Sequence, residues 1–191
     1  MNRRTTQYLI RVGMLTALAF VLMVLIEVPL LPSATYLKYD PSELAALVGA
    51  FALGPWAGVV IELFKNILYL LLSGKGTLVG EAANFVYGAV LVTVAGGIYW
   101  RNKTRRTAVF ALLAGSLAAT AVMAVANLYI FLPLWNVPAA AALPTVLYAV
   151  TPFNLLKAGL SSAITFLAYK RVRGFLTVTA SAVPAAPRIE S

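Results

Sequence analysis

The chain has 191 residues, of which 61% are hydrophobic and only 11% are charged, and its mean hydropathy is +0.88. Because soluble domains carry about 25% charged residues, this composition excludes a water-soluble globular protein and predicts a membrane protein with roughly six spans of about 20 residues. The net charge is +9, and most basic residues lie in residues 3–11, 101–106 and 170–173. If the chain has six spans and both termini are in the cytoplasm, these three segments all face the cytoplasm, as the positive-inside rule predicts. The excess of positive charge therefore does not require a nucleic-acid partner.

The first predicted span covers residues 8–27. Its apolar run lacks a clear signal-peptide cleavage site and is followed by further spans, so we expect a retained helix. Gly13 and Ala17 lie four residues apart on one face of this helix, a pattern that lets another helix approach closely. Ordinary packing inside the bundle explains the same pattern. Prolines then end the helix and begin an outer loop over residues 29–39.

The second span begins at a helix-start motif. Asp40 can cap free amide groups, Pro41 suits the first helical position, and Glu43 can complete a capping box. The span itself, residues 44–53, amounts to only about 15 Å of helix. We therefore expect the preceding loop to dip into the membrane thickness, where irregular backbone is tolerated if it lines a cavity.

The third span, residues 57–72, carries two opposite charges inside the membrane. Glu62 and Lys65 are three residues apart on one helix and can pair with each other, so pairing and ligand contact both remain open for Lys65. The following SGKGT, residues 73–77, lacks the leading glycine and the GK-Ser/Thr order of a phosphate loop. We expect no ATP hydrolysis by this chain.

Three further spans complete the predicted bundle and cover residues 81–100, 108–132 and 145–169. Each brings an asparagine into the outer half of the membrane: Asn84, Asn127 and Asn154. Lys157 shares a helical face with Asn154 and has no acid on its own helix, so its partner must be another span or a ligand. Such a layer predicts an outward-opening pocket that is rich in hydrogen-bond donors and flanked by aromatic side chains that can stack on a flat ring. The alternative is that these asparagines only tie helices together.

Five segments, taken together, resemble one family. The segments YDPSELAALVGAFALGPWAG, KNILYLLLSG, GEAANFVYGA, ANLYIFLPL and TPFNLLKAG resemble the RibU family, the riboflavin-specific S components of energy-coupling factor (ECF) transporters. The resemblance implies an all-α membrane fold of six helices in a prokaryotic cell membrane, with residues 1–173 as one substrate-binding domain. Residues 174–191 are rich in Ala, Ser, Thr and Pro, which predicts a disordered tail. The resemblance also implies capture of riboflavin as a transported ligand and no catalytic cofactor.

The resemblance also implies roles for particular residues. It implies that Asn84, Asn127, Asn154, Lys157 and Lys38 bind substrate. Two further candidates come from their positions in the sequence: Tyr39, an aromatic residue beside Lys38, and Lys65 inside the third span. Residues 36–40 are expected to form a lid over the ligand, and Lys38 stands where the family often has a threonine. A cation at that position can reach a phosphate, so flavin mononucleotide (FMN) is a second candidate ligand. The implied partners are a transmembrane coupling protein, which docks on Gly13 and Ala17, and two ABC-type ATPases.

Several other functions remain as alternatives. The chain has no cysteine and no histidine, so it lacks thiol nucleophiles, the usual general base and Cys/His metal sites. An intramembrane enzyme could use Asp40, Glu62 or Glu81, although these carboxylates do not recur at acid/base or metal-ligand spacing. An S component for thiamine, biotin or a folate is another alternative, as is a purely structural subunit. The lack of an internal repeat disfavours a stand-alone secondary transporter.

Overall fold

A computed structural model describes the backbone of residues 3–178 and the side chains of residues 3 and 5–168. Within this range the chain forms six helices and a small hairpin. The first elements are α1 (Arg3–Leu25), β1 (Val28–Pro29), β2 (Lys38–Tyr39), α2 (Glu43–Leu53), α3 (Pro55–Leu72) and α4 (Leu78–Arg101). Helix α5 joins Arg105–Ala126, Asn127–Phe131 and Leu132–Leu134, and helix α6 joins Ala139–Thr145, Val146–Val150 and Thr151–Val178.

The prediction of a helical membrane bundle is confirmed. In the described part of the chain, all helices except α2 are long and apolar enough to cross a membrane. Helix α2 has 11 residues, about 16 Å of helix, as the short second span predicted. The hairpin was not predicted: its antiparallel strands pair Val28 with Tyr39 and Pro29 with Lys38. It lies in the loop that was expected to dip into the membrane thickness.

Helices α5 and α6 each contain one π-helical segment, Asn127–Phe131 in α5 and Val146–Val150 in α6. The amide after each segment bonds to the carbonyl five residues earlier. Pro133 and Pro152 follow closely, and each lacks the amide that a regular α-helical ladder needs. The wider turns absorb this loss. Such π-segments occur frequently at functional sites.

The connections between the helices lie at the two ends of the bundle, which we call the cavity end and the basic end. At the cavity end lie the hairpin, the α3–α4 connection and the α5–α6 connection. At the basic end, α2 turns into α3, and α4 turns into α5 through residues 101–105. Gly54 makes the first of these turns with a φ of +116°, which favours glycine. The Trp100 Nε1 then donates to the Ala50 carbonyl at 2.8 Å and joins the two turns.

Small residues allow α2, α3, α4 and α5 to pack closely. A Cβ at Gly58 would lie 2.8 Å from the Ala50 Cβ and 2.9 Å from the Val92 Cβ. A Cβ at Gly115 would lie 2.9 Å from the Leu91 carbonyl oxygen. These close approaches require that neither position carries a side chain. The bundle is therefore tight below the cavity.

The start of α2 differs from the predicted capping box. Asp40 Oδ1 accepts a hydrogen bond from the Ser42 backbone amide at 3.0 Å, so Asp40 does satisfy an amide at the helix entrance. Ser42 is the N-cap residue and makes no side-chain capping bond. Glu43 does not cap at all, because its side chain is fully buried among cations from other helices.

Two boundaries also differ from the sequence prediction. The predicted fifth and sixth spans, residues 108–132 and 145–169, leave residues 133–144 as an outer loop, and this extent is wrong because α6 already begins at Ala139. Four consecutive alanines, the strongest helix formers, explain this early start. Helix α6 also continues to Val178, so residues 174–178, which the sequence assigned to the tail, are helical. The remainder of that predicted tail, residues 179–191, lies outside the described residues.

Gly13 and Ala17 lie on the exposed outer face of α1. A Cβ added at Gly13 would meet no atom within 4 Å. Packing inside the described bundle therefore does not account for the pair, which leaves this face of α1 open to another helix.

Candidate functional site

A cavity of about 730 Å³ opens at the cavity end, between the hairpin and helices α1, α3, α4, α5 and α6. Its volume lies within the range of about 300–1,000 Å³ that is usual for small-molecule sites. Aromatic side chains on its wall include Tyr36, Tyr69, Tyr87, Trp135 and Phe153. The cavity can therefore enclose a flat, drug-sized molecule.

The structure brings five of the seven predicted binding residues to the wall of this cavity: Lys38, Asn84, Asn127, Asn154 and Lys157. Tyr39 and Lys65 are not part of the wall. Successive side chains of a strand point to opposite faces, so Lys38 faces the cavity while Tyr39 is buried behind it. Lys65 lies deeper, where it is fully buried among acidic side chains.

The three asparagines differ in how far the protein already satisfies their amides. Asn84 donates to Asn66 Oδ1 at 2.9 Å and accepts from Lys157 at 2.8 Å. Asn127 donates to the Met123 carbonyl of its own helix at 2.9 Å. Asn154 makes no side-chain hydrogen bond to any residue that the structure describes. Asn154 therefore has the most hydrogen-bonding capacity left for a ligand.

The floor of the cavity is a buried charge network, which we define as Asp40, Glu43, Glu62, Lys65 and Lys157. The Lys157 ammonium lies 2.8 Å from Glu43 Oε1 and 3.7 Å from Asp40 Oδ2. Glu43 thus supplies the partner from another helix that the sequence required of Lys157. Because an ammonium has three N–H donors and Glu43 and Asn84 take two, Lys157 keeps one donor for the cavity.

The second half of the buried charge network surrounds Lys65. Its ammonium lies 2.9 Å from Glu62 Oε2, which confirms the predicted pairing on α3. It also donates to Ser42 Oγ at 2.6 Å and lies 3.4 Å from Glu43 Oε1. A Cβ at Gly88 would collide with the Glu62 carboxylate, so the glycine leaves the space that this carboxylate fills. Pairing accounts for the burial of Lys65 without a ligand.

Sequence reasoning missed that Glu43 joins both lysines. The capping motif gave Glu43 a sufficient local explanation, and the motif concealed its long-range role. One signal was available: an ionised group at membrane depth needs a partner, and Lys157 had none on its own helix. Glu43 was one of the few acids that could supply it.

A second set of charges lies at the opening, and we define the mouth cluster as Glu27, Lys38 and Lys75. Glu27 Oε2 is 2.9 Å from the Lys38 ammonium and 3.7 Å from the Lys75 ammonium, and Glu27 Oε1 accepts from the Tyr69 hydroxyl. Burial alone raises the pKa of Glu27. The hydrogen bonds from Tyr69 and Lys38 outweigh it and hold that pKa below its ordinary value.

Comparison with known proteins gives consistent matches. The family model for the substrate-specific component of ECF transporters matches residues 7–169. The riboflavin transporter RibU of Staphylococcus aureus (strain TCH60) is 32% identical over 183 residues, which cover 92% of this chain and 95% of that protein. The riboflavin transporter FmnP of Bacillus subtilis (strain 168) is 31% identical over 184 residues, which cover 91% and 96%.

A solved structure of the S component of a bacterial ECF transporter has the same architecture. It superimposes with a TM-score of 0.78 at 31% sequence identity. The match covers 90% of this chain and 98% of that one. The shared fold therefore includes the helices that line the cavity.

Proposed function

Because the chain belongs to the family of substrate-specific components of ECF transporters, we propose that its cavity binds riboflavin for uptake through an ATP-driven ECF complex. The chain is a transport component and not an enzyme. One observation carries the choice of ligand: Asn127, Asn154 and Lys157 share one cavity, in a chain whose relatives over nearly its full length are named riboflavin transporters.

The chemistry of the cavity suits this ligand. The flavin ring is neutral, flat and rich in carbonyl and ring-nitrogen acceptors. Asn154 has a free amide and Lys157 a remaining N–H, so both can donate to the polar edge of the ring. A bond from the ammonium is charge-assisted and stronger than a neutral one. Tyr87 and Phe153 offer ring faces along the same wall.

The first experiment identifies the ligand that co-purifies with the protein. We expect purified protein to be yellow and to release a fluorescent compound with the mass of riboflavin. Added riboflavin should raise the melting temperature, since a ligand that binds only the folded state stabilises it. Stabilisation by thiamine, biotin or a folate instead of riboflavin would assign the chain to another vitamin, and stabilisation by none of them would favour a structural subunit.

FMN is a second candidate ligand, and the mouth cluster favours it. Lys38 and Lys75 both line the cavity near its opening, and their side chains are 50% and 57% exposed. Only Glu27 opposes these two cations within the cluster. A phosphate at the outer end of the ligand would therefore meet an excess of positive charge.

We further propose that all six helices lie within the cell membrane, with the cavity facing outward and both termini in the cytoplasm. The basic residues of the loop at the basic end support this orientation. Because the chain has no cysteine, single cysteines can report it. In intact cells, a membrane-impermeant maleimide should label Ala140→Cys at the cavity end. It should label Asn102→Cys at the basic end only after lysis, and the reverse pattern would invert the topology.

Residues 1–173 then act as one substrate-binding domain that a coupling protein and two ABC-type ATPases energise. The exposed face at Gly13 and Ala17 supports docking of the coupling protein on α1. Gly13→Leu and Ala17→Leu should reduce co-purification with the coupling protein and leave riboflavin affinity unchanged. Ala121→Leu, at an exposed alanine of α5, is the matched control. Equal co-purification of all three variants would remove α1 as the docking face.

A further inference from the structure

One carboxylate on the cavity wall belongs neither to the buried charge network nor to the mouth cluster. Glu81 lies on the first turn of α4 and lines the cavity together with Asn84 and Tyr87. These residues follow one another at intervals of three, so they share a face and rise about 4.5 Å per step. Asn84 accepts from Lys157, and the Tyr87 ring centre lies 5.0 Å from the same ammonium. Glu81 is therefore one step nearer to the mouth than the layer of Lys157.

The protein leaves one oxygen of this carboxylate without a hydrogen bond. Glu81 Oε2 is buried and has no hydrogen-bond partner among the described residues. No described lysine or arginine pairs with it either, whereas Glu27 at the mouth is held by two lysines and a tyrosine. A buried acceptor without a donor costs free energy. No described donor on the wall reaches Glu81 Oε2, so a hydrogen-bond donor on a ligand in the cavity would satisfy it.

The two parts of riboflavin differ in the hydrogen bonds they offer. The ring presents mainly acceptors, and the donors suited to them, Asn154 and the remaining N–H of Lys157, lie in the deeper layer. The ribityl chain carries hydroxyl groups, which can donate. A ribityl chain that runs from the deeper layer towards the mouth passes Glu81. A carboxylate only accepts, so it matches the chain and not the ring.

We propose that Glu81 is a specificity-determining residue that accepts hydrogen bonds from the ribityl hydroxyls of the flavin. The proposal rests on the proposed function and deepens it by assigning the sugar-alcohol part of the ligand to a named acceptor. It follows that Glu81 selects for a polyhydroxylated chain and contributes nothing to affinity for the bare ring.

The test compares riboflavin with lumiflavin, which has the same ring with a methyl group in place of the ribityl chain. Affinities are measured by fluorescence titration of ligand-free protein. Glu81→Ala should weaken riboflavin binding about tenfold, the effect of losing about 1.4 kcal/mol, and leave lumiflavin binding within about twofold. The isosteric Glu81→Gln keeps a carbonyl acceptor without the charge, so its loss for riboflavin should be smaller, about threefold. Asn154→Ala is the matched contrast and should weaken both ligands.

Two results would overturn the proposal. Equal losses for riboflavin and lumiflavin would show that Glu81 acts on the ring or on the fold, and unchanged riboflavin affinity in both Glu81 variants would show that it touches neither. If Glu81→Ala does not fold, the isosteric variant alone still gives either the selective loss or one of these two results. Wild-type protein that binds neither flavin would instead overturn the proposed function, so the two failures are distinguishable.

Discussion

The buried charge network and the mouth cluster both pair acids with lysines around one cavity, but they differ in how much water they meet. Glu43, Glu62 and Lys65 are 0% exposed, whereas the side chains of Lys38 and Lys75 are half exposed. A buried ion that loses its partner keeps its full desolvation cost. An exposed pair contributes about 0–1 kcal/mol and is screened by salt.

The difference in solvent exposure agrees with the parts of the molecule that each cluster connects. The buried charge network joins α2, α3 and α6 through Glu43, Lys65 and Lys157, so it fixes the floor of the cavity. The mouth cluster joins the hairpin to the end of α1 and to the α3–α4 loop. Weak, hydrated pairs break at small cost, which is what the lid predicted from the sequence at residues 36–40 would require. Strong contacts therefore lie where the bundle must stay fixed.

The largest expected effect is the loss of Lys65. Lys65→Met keeps the length of the side chain but leaves Glu62 and part of Glu43 without a cation. Removing one partner of a buried ion pair typically costs about 3–5 kcal/mol. We expect a large drop in the melting temperature of the detergent-solubilised protein, measured without ligand.

The control for this variant is Lys103→Met, at an exposed loop residue whose ammonium lies 3.6 Å from the Trp100 ring centre. It should change the melting temperature little. Adding Glu62→Gln to Lys65→Met removes the stranded charge and should recover part of the loss. Equal melting curves for Lys65→Met and wild type would refute the structural role of the network.

The second-largest expected effect is a loss of riboflavin affinity. Lys157→Ala and Asn154→Ala should each weaken riboflavin binding at least about tenfold, or about 1.4 kcal/mol, because each removes a donor from the deeper layer of the cavity. Fluorescence titration measures this loss. Lys103→Ala and Asn102→Ala change the same residue types at the basic end and should bind as wild type does. Wild-type affinity in both cavity variants would place the pocket elsewhere.

A smaller effect is expected at the mouth. Lys38→Ala removes a half-exposed cation, so it should weaken FMN binding by only about threefold at low salt and riboflavin binding less. A competition titration of the two flavins measures the difference, which should shrink as salt is added. Equal losses for both flavins would argue against a phosphate near Lys38.

The sequence predicted local features of the molecule better than contacts between distant segments. Hydropathy and proline positions predicted the number and order of the helices, because burial in lipid dominates that choice, but both ends of α6 were misplaced. The Glu62–Lys65 pair was predictable because both residues lie on one helix turn. The contacts of Glu43 and the hairpin were not, since both depend on how distant segments approach. The local sequence motif predicted a helix-capping role for both Asp40 and Glu43. Only the tertiary structure shows that Asp40 accepts from the Ser42 amide whereas Glu43 pairs with lysines of other helices.

The smallest expected effect is a pH dependence at Glu27. Hydrogen bonds hold its pKa below the ordinary value of 4.5, so the unfolded state binds a proton more readily than the folded state. The stabilisation from Glu27 is therefore fully present above pH 4.5 and is lost as the pH falls through the lower, folded-state pKa. Glu27→Gln should have a slightly lower melting temperature than wild type at pH 7, and the two curves should converge in acid. A difference between them that stays constant from pH 7 into acid would mean that the charge of Glu27 does not hold the mouth cluster together.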